Sequence, residues 1–472
     1  MRRILLIFSI AFCSCTASSL EPQKADNYPA NISSIMQANC LGGNCHSGPS
    51  SLNTQLDLSS WSAMTNGSIY LNEIIPYNAV KSHLFGHLNT NAKIAPLIDP
   101  IMPLARDPLS DGDQRAFFDW IDAGAKSADG KIPYSDVTKK VFIINQAEDM
   151  FSVIDAGSQK VVRIPPVGDT SIKYKPASIA MTADHSSFLI AMLGAKGAVR
   201  KYDVGTYIMT GEFISNLVPN EIALTPDGSK GYITDNSSLA STTYGVFDPA
   251  GMKLTKTMSS PLILQPFAAA VAPDGKYAYI SGYSSDNILR IDTRTDSVVG
   301  NLPLGPDVQV PVESDYIRQY MPSQIVISSD SKKMYVTCVN TSEVVVFDLE
   351  KDSITSRVKI PNSPRAEALS PDGKELWAAT WVNTMHIIST ATDQIVAEID
   401  SVSQSPSAMM FTPDGKYVYV ACQYLLGGHH HNASYVAVAP SSYVVIEAAT
   451  RKILYISELP GISVGISGEF DN

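Results

Sequence analysis

The chain has 472 residues, with 35 Lys and Arg against 46 Asp and Glu, so its formal charge is −11. At 17% charged and 44% hydrophobic residues it is composed to fold rather than to stay disordered, and its net acidity argues against nucleic acid as a partner. It exceeds one ordinary domain, and 29 Gly and 29 Pro spread along it suit short strands joined by turns, so a small module beside one large domain is expected.

The opening, MRRILLIFSIAFCSCTASSL, places Arg2 and Arg3 before an apolar run from Ile4 to Phe12. That run is too short for a bilayer span, which needs roughly 20 residues. It predicts an export signal over 1–14 and a linker over 15–26, with the mature protein in the periplasm or at the cell surface. Cys15 resembles the lipidated cysteine of bacterial lipoproteins, which implies attachment to a membrane through acyl chains; Phe12 stands where that motif usually has Leu, and cleavage after Ala17 is the competing reading. Cys13 and Cys15 then belong to the signal, leaving Cys40, Cys45, Cys338 and Cys422.

Residues 27–125 carry the run SIMQANCLGGNCHSG, in which His46 follows Cys45 directly. A covalent haem needs two thiols for its vinyl groups and a histidine beside the second. The usual spacing is C-x-x-C-H, and here four residues separate Cys40 from Cys45. A Cys40–Cys45 disulfide with His46 as a bystander is the alternative, and an oxidising compartment permits either. Downstream, Met102–Pro103 reads as an irregular loop. Ser110 then predicts a helix cap with Asp111 and Asp113 in the first turn, Phe117, Trp120 and Ile121 on one apolar face, and Gly124 at the end.

This arrangement resembles the small all-α cytochromes c that begin many bacterial fused proteins, and the resemblance extends through the KSHLF segment, which looks like the middle helix. It implies one haem c bound through Cys40 and Cys45, with His46 and Met102 as axial iron ligands; His83 and His87 compete for the second place. The module holds four basic and eight acidic side chains, so a redox partner is expected to dock through a basic patch.

After a linker over 126–138, the chain from 139 to 472 repeats itself. Turns of the type TPDGSKGYITD place Asp184, Asp227, Asp274, Asp330, Asp372 and Asp414 at spacings of 43, 47, 56, 42 and 42 residues. A second turn series runs through Asp155, Asp203, Asp248, Asp292, Asp348, Ser389 and Glu447. Repeats of this length with short alternating strands predict propeller blades. Seven turns of the second kind against six of the first predict seven four-stranded blades, the first beginning at its second strand, KKVFIINQ, with the segment near PGISVGISG supplying the missing innermost strand. The extra length at 305–322 is what would suggest an eighth. The phrases YITD, YISG and YVTC resemble the YVTN family of bacterial β-propellers, a likeness that implies the all-β propeller fold and little about activity.

With the first turn series joining strands one and two of each blade, and the second joining three and four, the long insertions 165–176, 235–243, 305–322 and 423–442 fall on one face, the expected ligand face. The loop 305–322 offers Glu313, Asp315, Tyr316, Arg318 and Tyr320 there, and the last loop offers His429, His430 and His431. Three adjacent imidazoles suggest a copper or zinc site, against the plainer reading of a solvated polar loop. Cys338 and Cys422 sit at equivalent strand positions and read as small buried residues, and His185 and His386 as structural ones. The expected function is an exported electron-transfer protein whose propeller binds a ligand or partner. The alternatives are an oxidoreductase with a second cofactor in the propeller, as in the architecture of cytochrome cd-type nitrite reductases, and a non-redox surface binding protein.

Overall fold

The computed structural model describes residues 25–42, 45–48, 56–67, 73–169, 171–194, 197–309, 311, 316–424 and 440–470. The chain divides into two compact units between Ser135 and Asp136.

The first unit is helical. Helix Ala30–Asn39 turns Ile32, Ile35 and Met36 inward at helical spacing. Helix Trp61–Asn66 is capped by the Ser60 hydroxyl, which accepts from Ala63 N–H. A short helix, His83–Leu88, buries Leu84, Phe85 and Leu88. Helix Asp111–Asp122 starts at Ser110, whose hydroxyl accepts from Asp113 N–H, and buries Phe117, Trp120 and Ile121. Gly124 ends it at φ +102°, where a Cβ would also strike the Tyr77 ring at 2.8 Å. Trp61 and Trp120 bury their indoles while donating to Ala125 O and Lys126 O, each at 2.8 Å, so neither N–H is left unsatisfied.

The second unit is a seven-bladed propeller. Its sheets each have four antiparallel strands, and six of them use consecutive strands. In the first blade, Ser463–Glu469 lies innermost beside Lys140–Asn145, followed by Met150–Asp155 and Lys160–Arg163. This joins the two ends of the ring and leaves no blade interface open.

The period has a packing cause. Each apolar cluster is shared by two consecutive blades, as where Leu189, Ala191 and Phe213 meet Ile222, Ile233 and Phe247. Second strands such as Ser187–Met192 are buried throughout, while outermost strands such as Lys253–Ser259 are largely exposed.

Both turn series make the same local bonds at most repeats, Ala272 lacking the hydroxyl of the first series and Ser389 and Glu447 the aspartate of the second. In the first, Thr225 donates to Asp227 at 2.6 Å, and the Ser370–Asp372 and Thr412–Asp414 pairs repeat this at 2.7 and 2.6 Å. The Gly of PDG takes φ near +70° at Gly228, Gly275, Gly373 and Gly415, the left-handed conformation that a residue without Cβ adopts freely. In the second series, Asp155, Asp292 and Asp348 each accept from the backbone N–H two residues on.

The innermost strands share one further feature. Six begin with proline, at Pro176, Pro219, Pro266, Pro322, Pro364 and, in the last blade, Pro406 two residues after the strand starts; Ser463 takes that place in the first blade. In all seven the register then slips by a bulge. The residue just past that point is partly exposed each time: Ala177, Asn220, Phe267, Ser323, Arg365, Ser407 and Val464. These positions ring the axis on the face of the long insertions.

Candidate functional site

In the helical unit, Cys40 caps the end of Ala30–Asn39, its N–H donating to Met36 O at 2.8 Å. Leu58 N–H donates to His46 O at 2.8 Å, anchoring the histidine backbone. The His46 ring then lies with Nδ1 3.2 Å from Leu56 O. A carbonyl only accepts, so the ring proton sits on Nδ1 and Nε2 carries the lone pair. Burial lowers the His46 pKa, against smaller upward pulls from the Leu56 carbonyl and Asp57, and keeps the imidazole neutral. Cys40 and Cys45 are not joined in a disulfide. Burial, and then the neighbouring Cys45, push Cys40 up to about 12.

Met102 packs against the apolar cluster that contains Cys40, Leu41, Leu58 and Phe117. Its N–H donates to His87 O at 2.7 Å. Arg106, four residues on, reaches Ala38 O at 3.4 Å, and the same guanidinium would lie 3.4 Å from a Cβ at Gly42. The Met102 loop and the Cys40 turn are therefore neighbours. His83 and His87 are half-buried on the short helix, and His87 Nδ1 lies 3.0 Å from Pro100 O. Neutral imidazole, thioether and thiol are a soft or borderline donor set. Among the described residues no group of three or more His, Cys, Asp or Glu is placed to hold a metal ion.

On the propeller the structure separates the loop residues singled out by sequence. Tyr316 OH donates to Asp286 at 2.7 Å, and Tyr320 lies beneath the Arg357 guanidinium, 5.2 Å from its ring centre. Arg318 instead stands over the Tyr283 ring at 5.7 Å. Asp286, fully buried, organises this loop: it accepts from Gln319 N–H, from Tyr320 N–H at 3.0 Å and from Met321 N–H at 2.8 Å. Asp149 plays the same part in the first blade, accepting from Tyr174 and Lys175 N–H at 3.1 and 2.6 Å. Glu313, Asp315, the His429–His431 run and Cys15 lie outside the described residues. Cys338 and Cys422 are buried free thiols, and His386 is buried 3.5 Å from Glu398.

Sequence reading passed over several residues that gather on the same face. Arg365 stacks its guanidinium on Trp381 at 4.0 Å, and Phe267 lies against Tyr283 at 4.7 Å. The Trp381 backbone is fixed by N–H bonds to Asn362 O and Ser363 O and by Ser405 Oγ on its carbonyl. Two acids lie on innermost strands: burial raises Glu221 to about 7, against pulls from Ile222 N–H and the Ser178 hydroxyl, and raises Glu367 to about 8, against the Thr337 hydroxyl. Aligning the strands on their leading prolines would have brought Phe267 and Arg365 into view, since each immediately follows one.

The fold places the chain among seven-bladed propeller proteins, and comparisons with known proteins bear on that level. No family model matches the sequence. The chain is similar to Antigen Lp49 of Leptospira interrogans, 22% identical over 312 residues that cover 61% of this chain. The match spans 64% of that relative's length, just under two thirds. Among solved structures, a functionally unknown protein from Desulfotomaculum acetoxidans superposes with a TM-score of 0.56 at 12% identity, covering 71% of this chain and 99% of that one. The dihydro-haem d1 dehydrogenase NirN, solved in complex with DHE, does so with a TM-score of 0.50 at 12% identity, covering 76% and 86%. At such identities the likeness is one of fold.

Proposed function

We propose that the chain is an exported electron-transfer protein that binds one haem c in its helical unit and a ligand or partner through its propeller. The observation that carries this reading is His46, next in sequence to Cys45, with Nδ1 turned to Leu56 O and the lone pair on Nε2. Two thiols not joined in a disulfide and the Met102 thioether on the cluster that holds Cys40 complete a donor set that fits the group. Cys40 and Cys45 would tether the haem, and His46 and Met102 would ligate its iron. Bound haem supplies a one-electron couple. The chain's own residues orient the imidazole through Leu56 O, position the thioether through His87 O, and keep water away with Leu41, Leu58 and Phe117. The acidic balance of this unit suits a redox partner with a basic docking patch, and Cys15 suits attachment to a membrane by lipid.

The test is the pigment of the full chain produced alongside haem-attachment machinery. The expected result is a Soret band that survives denaturation, one iron per chain, and its loss in the C40A/C45A double variant. M102A should keep the pigment and change its spin state. Colourless protein with a Cys40–Cys45 disulfide overturns the reading. A second iron or another metal, retained in C40A/C45A, would favour instead an oxidoreductase with a cofactor in the propeller. That alternative draws its support from the likeness in fold to the dihydro-haem d1 dehydrogenase.

A further inference from the structure

Seven of the eight propeller arginines fall into two groups, and the eighth, Arg163, donates to Val162 O. Arg200, Arg290, Arg294, Arg357 and Arg451 each pair with a carboxylate. Arg318 and Arg365 pair with none among the described residues, and both meet aromatic rings. Arg365 carries most of the weight, because residues 312–315 beside Arg318 lie outside the described part. It is half-buried on an innermost strand, and burial lowers its pKa. The carboxyl two residues along, Glu367, is raised by burial to about 8 against the pull of the Thr337 hydroxyl, so near neutrality it offers Arg365 little negative charge. A desolvated cation without a counter-charge is costly unless an anion completes it.

The surroundings say what shape that anion has. Arg318 stands over the Tyr283 ring and Arg365 over Trp381, and both guanidiniums lie near enough to lower the Tyr283 pKa against the larger effect of burial. Arg365 also senses Tyr424. Trp381 is 49% exposed and Tyr424 40% exposed, so both leave aromatic surface accessible beside Arg365. Flat faces beside guanidinium forks recognise flat, unsaturated acids, through stacking and bidentate hydrogen bonds.

We infer that the axial opening on the long-loop face binds an organic anion with a flat unsaturated body, its carboxylate or equivalent taken by Arg365 and Arg318 and its plane by Tyr283, Trp381 and Tyr424. This rests on the propeller being the ligand-binding half of the protein and is independent of haem.

The experiment is calorimetric titration of the full chain with terephthalate, a flat dianion, beside cyclohexane dicarboxylate, benzyl alcohol and inorganic sulfate. Saturable binding of terephthalate at one site is expected, with the non-planar diacid, the neutral ring and sulfate all weaker. R365Q should weaken binding by about tenfold or more, as expected for a lost charge-assisted fork, and R318Q by less. R365K, which keeps charge and fold but not the fork, should fall between. R294Q, on the opposite face, should bind as the parent does. Absence of saturable terephthalate binding overturns the inference, and so does binding that R365Q and R318Q leave unchanged. Because C40A/C45A should bind terephthalate normally, failure here and failure of the haem reading are told apart.

Discussion

The two faces of the propeller are built on opposite principles. On the face of the short turns most repeats solve the same problem in the same way. A hydroxyl and a carboxylate close five of the six turns of the first series, Ala272 being the exception, and Asp184 and Asp372 are held down to about 2 chiefly by Thr182 and Ser370. On the face of the long insertions the repeats diverge, and buried acids such as Asp149 and Asp286 pin irregular loops by their backbone N–H groups. The first face is self-sufficient, while on the second the Arg365 guanidinium has no counter-charge among the described residues and Trp381 is half-exposed. The contrast teaches that repeat geometry is secured where bonding is local, and function is sought where bonding has been left incomplete.

Three substitutions sharpen that contrast. D286A removes a buried acceptor from Tyr316 OH and three backbone N–H groups. It should cost about 3 kcal/mol in denaturant unfolding and open the loop 305–322 to protease, because those donors lose their partner inside the protein. An unchanged stability would mean the loop is held by other contacts.

E367Q is expected to act through pH. The folded carboxyl lies at about 8 against an ordinary 4.5, so the folded state holds its proton more tightly than the unfolded one. The parent should therefore lose stability as pH rises through that window and level off above it, while the Gln variant lacks this slope. Melting temperatures of the two should be close in acid and separate by several degrees at alkaline pH, the variant being higher. Parallel curves would show that Glu367 ionises freely.

The smallest effect is expected from D372N. Its carboxyl is lowered to about 2, so the stability it adds is present above 3.8 and fades as pH falls toward 2. The group is exposed, so at neutral pH the loss should stay under about 1 kcal/mol in a thermal melt. A loss as large as that of D286A would erase the distinction between the faces.

The blade count was legible because each blade repeats its turns. Thr225–Asp227 and Ser370–Asp372 are bonded within two residues, so the pattern that closes them is written in contiguous letters. The helix Asp111–Asp122 was legible for the same reason, through Ser110 at its start and a three- and four-residue apolar spacing within it. Arg365 and Trp381 were not, since one follows a proline on an innermost strand and the other lies in a connection of the same blade, and neither fits a motif. Arg318 was noticed as a loop cation, but its separation from Tyr316 and Tyr320 depends on Asp286, which is about thirty residues away.

Local rules in the amino-acid order therefore determined the repeating strand and turn units, their number, and the thiols and imidazole placed near the start. Tertiary structure alone decided which side chains converge around the axis, and which cations and acids there are desolvated without an ion-pair partner among the described residues. The physical reason is range: turns and caps are settled by atoms a few residues apart, whereas burial and charge balance at the axis depend on several blades at once.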